Sequence, residues 1–432
     1  MSHIDPIDHL YQRYVTHRNV AIDSRNIAPH SIFFALKGPR FDGNAFAAQA
    51  LEQGASYVVI DDARYKKDAR YILVDDVLKT LQRLANHHRK QLKIPIIGIT
   101  GSSGKTTTKE LIQAVLRSRY VVTATQGNLN NHIGVPLTVL AIDTKTEIGV
   151  VEMGANHVGE IAQLCEIAQP THGLITNVGH VHIEGFGSFE GVIKGKGELY
   201  DYLLSHKRII FTNSTDPILR DMSRRFVQPI TYPMQQDAYH CKLVDNSPYV
   251  VYKSENGQVI TSQLLGRYHF YNVATALCVA KYFQVDETKA NQAIQNYQPN
   301  NNRSQLIKKG TNTILLDAYN ANLASIKGAI QALHTILAAH SVLILGDMSE
   351  LGEETEEAHR ALGRFTAQAT YKAVLLCGTH MAAAKETNRN ALHFHQKEDL
   401  GAYLEQQAFE NTAFLIKGSR FMQLETLVAF IS

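Results

Sequence analysis

Lys105 and Thr106 stand in the run Gly101-Ser102-Ser103-Gly104-Lys105-Thr106-Thr107-Thr108, a spacing of glycines, hydroxyls and one cation that suits phosphate. Glycines let backbone N–H groups converge on phosphate oxygens, a helix N-terminus adds partial positive charge, the lysine adds a whole one, and a threonine hydroxyl can ligate Mg²⁺. The apolar run Ile96-Ile97-Gly98-Ile99-Thr100 before it reads as a buried strand, and the pattern from Lys109 to Leu116 reads as a helix. Ile99 occupies the place of the first glycine in the longer G-x-x-x-x-G-K-[ST] spacing, so this is a shortened T-G-x-x-G-K-T loop.

Other polar clusters sit where strands should end. Glu152 closes the apolar run from Ile148 and could serve a second Mg²⁺ contact or orient a water. After the strand pattern 173–178 come His180, His182 and Glu184, able to ligate metal or bind phosphate but without a zinc spacing. Gly127-Asn128-Leu129-Asn130-Asn131-His132-Ile133-Gly134-Val135-Pro136 is too irregular for a strand or helix and offers amides to a ligand. Further on, Asp317-Ala318-Tyr319-Asn320-Ala321-Asn322, Asp347-Met348-Ser349-Glu350-Leu351-Gly352 and Lys417-Gly418-Ser419-Arg420 follow strand patterns, with helix capping the competing role for Asn322 and Ser349. Lys194 and Lys196 lie on one helix, and by pattern alone either is a solvated lysine. Near the start, Asp23-Ser24-Arg25 and Lys37-Gly38-Pro39-Arg40-Phe41-Asp42-Gly43 are loop-like clusters that could meet an anion or be plain surface turns.

These residues need several sheets to hold them. A chain of 432 residues exceeds one ordinary core, and strands alternate with helices almost throughout. The pattern predicts a small α/β domain over 1–93, a phosphate-loop domain with a mainly parallel sheet over 94–299, and a Rossmann-like domain over 300–432. Pro95 and the polar segment 296–303 mark the boundaries. Alternating segments between 239 and 265 predict antiparallel hairpins appended to the parallel sheet, and Asn272 is expected to open a helix over 273–283. A net charge of +3 with no basic run gives no case for nucleic acid, and no apolar run approaches the ~20 residues that span a bilayer. The first six residues lack a signal-peptide layout, which predicts a cytoplasmic protein, and the four scattered cysteines (Cys165, Cys241, Cys278, Cys377) predict reduced core thiols.

In their order, the phosphate loop, the Asn-Leu-Asn-Asn loop, Glu152-Met153-Gly154-Ala155-Asn156-His157, the Tyr-Asn-Ala-Asn segment, the Asp347 segment and Lys417-Gly418-Ser419-Arg420 resemble the Mur ligase family, in its D-alanyl-D-alanine-adding branch. The resemblance covers nearly the whole chain. It implies an ATP-dependent ligase of peptidoglycan synthesis that joins D-alanyl-D-alanine to UDP-N-acetylmuramoyl-tripeptide through an acyl phosphate, with the first domain holding UDP, the second ATP, and a third closing over both.

By the same resemblance, Gly101, Ser102, Ser103, Gly104, Lys105, Thr106 and Thr107 bind the ATP phosphates, with Asn272 at adenine, Arg303 at the phosphates and Asp317 at ribose. Thr106 and Glu152 hold Mg²⁺, and His182 helps bind a second ion. Lys196, chosen over Lys194 by its spacing to Tyr200, is implied to be carbamylated and to face metal, which makes Lys105, Lys196, Glu152 and His182 the catalytic set. Ser24, Arg25, Lys37 and Gly38 fall on the UDP-sugar side, and Asn128, Asn130, Asn131, Asn320 and Asn322 on the rest of the substrate. A monomer is expected. Two other classes compete: a phosphate-loop kinase or GTPase with accessory domains, and a non-catalytic binding protein of the same fold.

Overall fold

The computed structural model describes residues 6–299 and 302–432. The expectation for the extreme N-terminus and the part of the second boundary at Asn300 and Asn301 lie outside these residues.

After helix Pro6–His17 come four short parallel strands, in the order Val20–Ala21, Ile32–Phe34, Tyr57–Ile60, Tyr71–Leu73. Helix Val77–Gln91 follows, with the Asp76 carboxylate accepting from Lys79 N at its start. Its apolar stripe does not stay within the first sheet. Leu81, Leu84 and Tyr14 share one buried cluster with Ile96, Val139 and Leu164, all from beyond Pro95. The seam is also hydrogen-bonded, since the Tyr14 hydroxyl donates to Leu140 O at 2.5 Å and Arg89 Nε to Ala168 O at 2.9 Å. The first two parts of the chain therefore bury a common core.

The central sheet has six parallel strands, ordered Ile230–Tyr232, Ile209–Asn213, His172–Ile175, Ile96–Thr100, Ile148–Glu152, Val122–Ala124. Strand Ile96–Thr100 lies in the middle, between the strands that end at Ile175 and Glu152, so the phosphate loop and both neighbouring polar strand ends open on one edge of the sheet. The antiparallel strands Lys242–Asp245, Tyr249–Lys253 and Val259–Leu265 are not appended to it as expected; they form a sheet of their own. The reason is packing: Val250, Tyr252 and Leu264 bury themselves against helix His269–Tyr282 and its neighbours. That helix also begins three residues before Asn272, which sits in its first turn instead of opening it.

In the last part, strands run Gln305–Lys309, Asn312–Leu316, Thr412–Lys417, His340–Gly346, Ala373–Cys377, Leu392–Phe394, the first antiparallel and the rest parallel. Alternate side chains of these strands feed two clusters, Leu315, Leu343 and Leu345 on one face and Ile314, Val342 and Ile344 on the other. This is a doubly wound, Rossmann-like layer arrangement. All four cysteines are buried free thiols. No helix among the described residues is long and apolar enough to cross a membrane.

Candidate active site

Two glycines shape the phosphate loop. Gly101 has φ +140°, and a Cβ there would lie 2.1 Å from Thr176 Oγ1; Gly104 has φ +78°. At Gly101 no side chain fits, and at Gly104 glycine takes the left-handed conformation without the cost an L side chain would carry. Asn177 braces the loop, its carbonyl accepting from Ser102 N at 3.0 Å and its Oδ1 from Ser103 N at 3.0 Å. Lys105 begins helix Lys105–Leu116 and folds back over the loop, donating to Gly101 O at 2.7 Å. Burial lowers its ammonium pKa, with Glu152 opposing and Arg303 assisting the shift. An incoming polyphosphate would relieve that cost by supplying the missing negative charge.

Glu152, 1% exposed, ends its strand beside the loop. One carboxylate oxygen accepts from Thr106 Oγ1 at 3.2 Å and from Asn130 Nδ2 at 2.8 Å; the other is buried with no hydrogen-bond partner. A bare buried carboxylate oxygen next to a phosphate loop fits a hard cation. Among the described residues, no three His, Cys, Asp or Glu side chains gather as a metal cluster. A magnesium ion here would complete its shell from phosphate oxygens and water, as that ion commonly does. Lys109, which carries no site signal in the sequence beyond its helical pattern, is also buried: its Nζ donates to Thr125 O at 2.8 Å while Thr125 Oγ1 accepts from Glu152 N at 3.0 Å. It braces the Glu152 backbone through Thr125, and its place one helical turn beyond Lys105 was the signal available.

Lys196 lies in helix Phe189–Ser205 and is 1% exposed. Its Nζ donates to Ala155 O at 2.8 Å and stands 4.8 Å from the Phe186 ring centre. Desolvation, with Lys105 adding repulsion, pulls its pKa down to about 7 against the attraction of Glu160 and Glu198. Lys194 is exposed. Glu198 instead secures the start of helix Glu160–Ala168, accepting from Gly159 N and Ala162 N.

The Rossmann-like part brings its own strand ends to the same place. Lys417, 2% exposed, pairs with Asp317 Oδ2 at 2.5 Å and donates to Asn320 O at 2.9 Å. Asp317 Oδ1 accepts from Ser304 N; the Ser304 hydroxyl meets Tyr268 and His269, and the His269 ring meets Asn272. This chain of contacts crosses from the Rossmann-like part to the central part, and burial lowers the His269 pKa to about 4, so the ring is neutral. The Arg303 guanidinium stacks 3.6 Å from the centre of the Tyr319 ring, and Arg420 stands 5.4 Å from the same ring. His182 pairs with Glu350 across the same divide, and that contact holds the Glu350 carboxyl below its ordinary range.

Between the two parts lies a cavity of about 1610 Å³. Its walls carry Ser102 to Thr107, Asn130, Asn131, Glu152, His182, Asn272, Arg303, Asp317, Asn320 and Asn322. Gly101 and Asn128 are not on the wall, and Lys196 reaches it only through Ala155, whose carbonyl it holds. Asn322 spends its side chain accepting from Ser325 N, in a capping box that starts helix Leu323–Leu333. Ser24, Arg25, Lys37 and Gly38 are not brought to this cavity. Arg25 pairs with Asp23, Lys37 with Asp61 at 2.7 Å, and Gly38 lies against the Phe41 ring.

Fold and site together define a phosphate-loop protein whose Rossmann-like domain supplies part of the cavity wall. The family model "Mur ligase middle domain" matches residues 99–280, "Mur ligase, glutamate ligase domain" 302–420, and "Mur ligase family, catalytic domain" 16–89. The chain is 34% identical to the UDP-N-acetylmuramoyl-tripeptide–D-alanyl-D-alanine ligase of Bacillus subtilis, over 97% of this chain and 93% of that one. It is 33% identical to the enzyme of that name from Escherichia coli, over 95% and 92%. Among solved structures, MurF from Acinetobacter baumannii superposes with a TM-score of 0.84 at 28% identity, covering 95% of this chain and 92% of that one. MurF ligase from Thermotoga maritima in complex with ADP gives 0.83 at 27%, covering 96% and 97%. The chain belongs to the Mur ligase family.

Proposed function

We propose that this chain is the ATP-dependent ligase that joins D-alanyl-D-alanine to UDP-N-acetylmuramoyl-tripeptide, making the pentapeptide precursor of peptidoglycan. The observation that carries the reading is one cavity walled by the phosphate loop, by Glu152 with its unpartnered oxygen, and by Arg303 and Asp317 from the other domain. Full-length similarity to ligases of that name supports it.

The chemistry asks for such a wall. A carboxylate oxygen is a poor leaving group, so the γ-phosphoryl of ATP is first moved to the tripeptide carboxylate, breaking the bond to ADP and forming an acyl phosphate. The amine of D-alanyl-D-alanine then attacks the acyl carbon, inorganic phosphate departs, and the amine loses a proton. Both steps develop negative charge on phosphate oxygens. Lys105 and the loop N–H groups receive it, Arg303 swings from Tyr319 to add a second cation, Asn272 orients adenine and Asp317 the ribose. Thr106 and Glu152 would hold magnesium, with His182 near a second ion, and the metal would supply charge neutralisation at the phosphates. Lys196 with its lowered pKa offers the neutral amine that CO₂ needs, and the carbamate it forms carries the negative charge a metal site favours. Asn130, Asn131, Asn320 and Asn322 line the amine and peptide side, and Asn128 is assigned to the same loop's substrate contacts. Ser24, Arg25, Lys37 and Gly38 are assigned to the UDP end. On this reading the three functional parts divide at 93/94 and 299/300, the protein acts as a monomer in the cytoplasm, and it needs no nucleic acid or membrane.

The test is phosphate release with UDP-N-acetylmuramoyl-tripeptide and D-alanyl-D-alanine supplied separately and together. Release only with both supports the ligase. Release with neither, or with any hydroxyl acceptor alone, favours a GTPase-like or kinase-like enzyme.

A further inference from the structure

The segment Asp347-Met348-Ser349-Glu350-Leu351-Gly352 has no part in the chemistry above, yet both of its carboxylates are held. Asp347 is 5% exposed and accepts from Met381 N at 2.9 Å, while its carbonyl takes Ser419 N and Ser419 Oγ, so the segment is pinned to the Rossmann-like domain. Glu350 reaches out of that domain to the Nδ1 of His182 in the central domain. The contact is an ion pair and not a hydrogen bond of ordinary geometry, and among the described residues that buried nitrogen has no hydrogen-bond partner. Gly352 has φ +55°, and a Cβ there would stand 3.3 Å from Glu184 Cβ, so glycine permits the approach of the two backbones. Both His182 (φ +53°) and Glu350 (φ +62°) are in the left-handed region, which L-residues occupy at a cost.

His182 lines the cavity and Glu350 does not. The carboxylate thus stands behind the ring. A histidine whose Nδ1–H donates to a carboxylate keeps its Nε2 lone pair free and aimed, the arrangement by which proteins fix the tautomer and direction of a ligating imidazole. We infer that Glu350 is a positioning residue which, on docking of the Rossmann-like domain, fixes His182 as the Nδ1–H tautomer and turns Nε2 toward the cavity. The site is then chemically complete only when the domains are together, because the group that sets His182 is delivered by the other domain. The idea rests on the ligase reading only for its turnover measurement.

Two measurements test it. Nitrogen-15 histidine spectra, with the His182 signal assigned by its loss in His182→Gln, are taken without substrate on the full chain. Wild type should show Nδ1 protonated and Nε2 bare, and Glu350→Ala should shift the ring toward the Nε2–H form. In steady state, Glu350→Ala should lower kcat about tenfold, the scale of one charge-assisted hydrogen bond, with KM for ATP within about twofold. Glu350→Gln, which can still accept from Nδ1–H, should recover part of kcat, and the exposed neighbour variant Glu353→Ala should match wild type. An unchanged His182 tautomer in Glu350→Ala would overturn the inference, whatever happens to turnover; so would a kcat loss that Gln does not relieve. A chain with no ligase turnover at all would sink the functional reading and leave the spectra to decide this one.

Discussion

Glu152 shows how one side chain can be held and still be reactive. One oxygen is fixed by Thr106 and Asn130, the other is bare, so the group has a set direction and unspent charge. Glu152→Gln keeps the shape while removing the charge. It should lower turnover by roughly 10²-fold or more and abolish the saturable response to Mg²⁺, with little change in thermal midpoint; wild-type Mg²⁺ titration curves would refute the assignment. Lys196 is the companion case. A buried lysine with pKa near 7 is partly neutral at ordinary pH, and a carbamate on it would convert the buried charge to the opposite sign. Lys196→Ala should lose most activity and regain part of it with added acetate, whereas the exposed Lys194 replaced by Ala should do neither. Near-normal activity in Lys196→Ala with CO₂ excluded would end the carbamate idea. Residue types at strand ends made Lys105, Glu152 and Asp317 visible from sequence. Pairings across the chain stayed hidden: Lys417 with Asp317, Glu350 with His182 and Lys109 with Thr125 depend on distances that no local pattern encodes.

Elements were legible where their signal is local. Strand Ile96–Thr100, its loop and helix Lys105–Leu116 follow from an apolar run, two obligatory glycines and a helical period. Asn272 lies inside the helix and does not open it, because the aromatic residues before it, His269-Phe270-Tyr271, already form the first turn, with His269 and Phe270 buried. The hairpins were seen as strands, but which sheet they join is decided by the burial of Val250, Tyr252 and Leu264, a tertiary matter. Strand His172–Ile175 allows a test at this scale. His172 opens it, packed on Phe211 and bonded to Thr171 and Tyr282, and desolvation with help from Arg208 lowers its pKa from 6.5 to about 4. The folded protein therefore keeps this ring neutral while the unfolded chain protonates it, so the unfolded state binds more protons between those two values. Stability should rise with pH through that window and level off above 6.5, this residue accounting for a loss on the order of 3 kcal/mol at the acid end. Denaturant melts of His172→Gln should show a shallower acid slope than wild type; parallel slopes would mean the ring is protonated in the native state.

The molecule as a whole is built from two bodies of unequal coupling. The first sheet and the central sheet share a continuous apolar core through Leu81, Leu84, Val139 and Leu164. The Rossmann-like domain meets the central one through a smaller apolar patch, where Leu265 and Tyr249 join the cluster of Leu315 and Ile326, and through polar contacts: Ser304 with Tyr268 and His269, Glu350 with His182, and the close approach of Gly352 to Glu184. Apolar burial scales with area and holds firmly, whereas a few exposed or half-exposed ion pairs contribute little net free energy in water. This asymmetry could not be read from Pro95 and the polar segment before Arg303, which look equally like boundaries in the sequence. It sets what can move. Arg303 and Asp317 ride on the Rossmann-like side and the phosphate loop on the other, so a nucleotide touching both has differential affinity for the docked arrangement, the condition under which a ligand shifts a conformational equilibrium. Small-angle scattering should therefore show a smaller radius of gyration with a non-hydrolysable ATP analogue and UDP-N-acetylmuramoyl-tripeptide together than with neither, and Arg303→Ala should weaken that response to the nucleotide. The first two sheets should keep their mutual distance in every state, as reported by paired spin labels placed in them. Identical scattering profiles with and without ligands, or label distances that change between the first two sheets, would contradict a division of the molecule into one fused body and one docking domain.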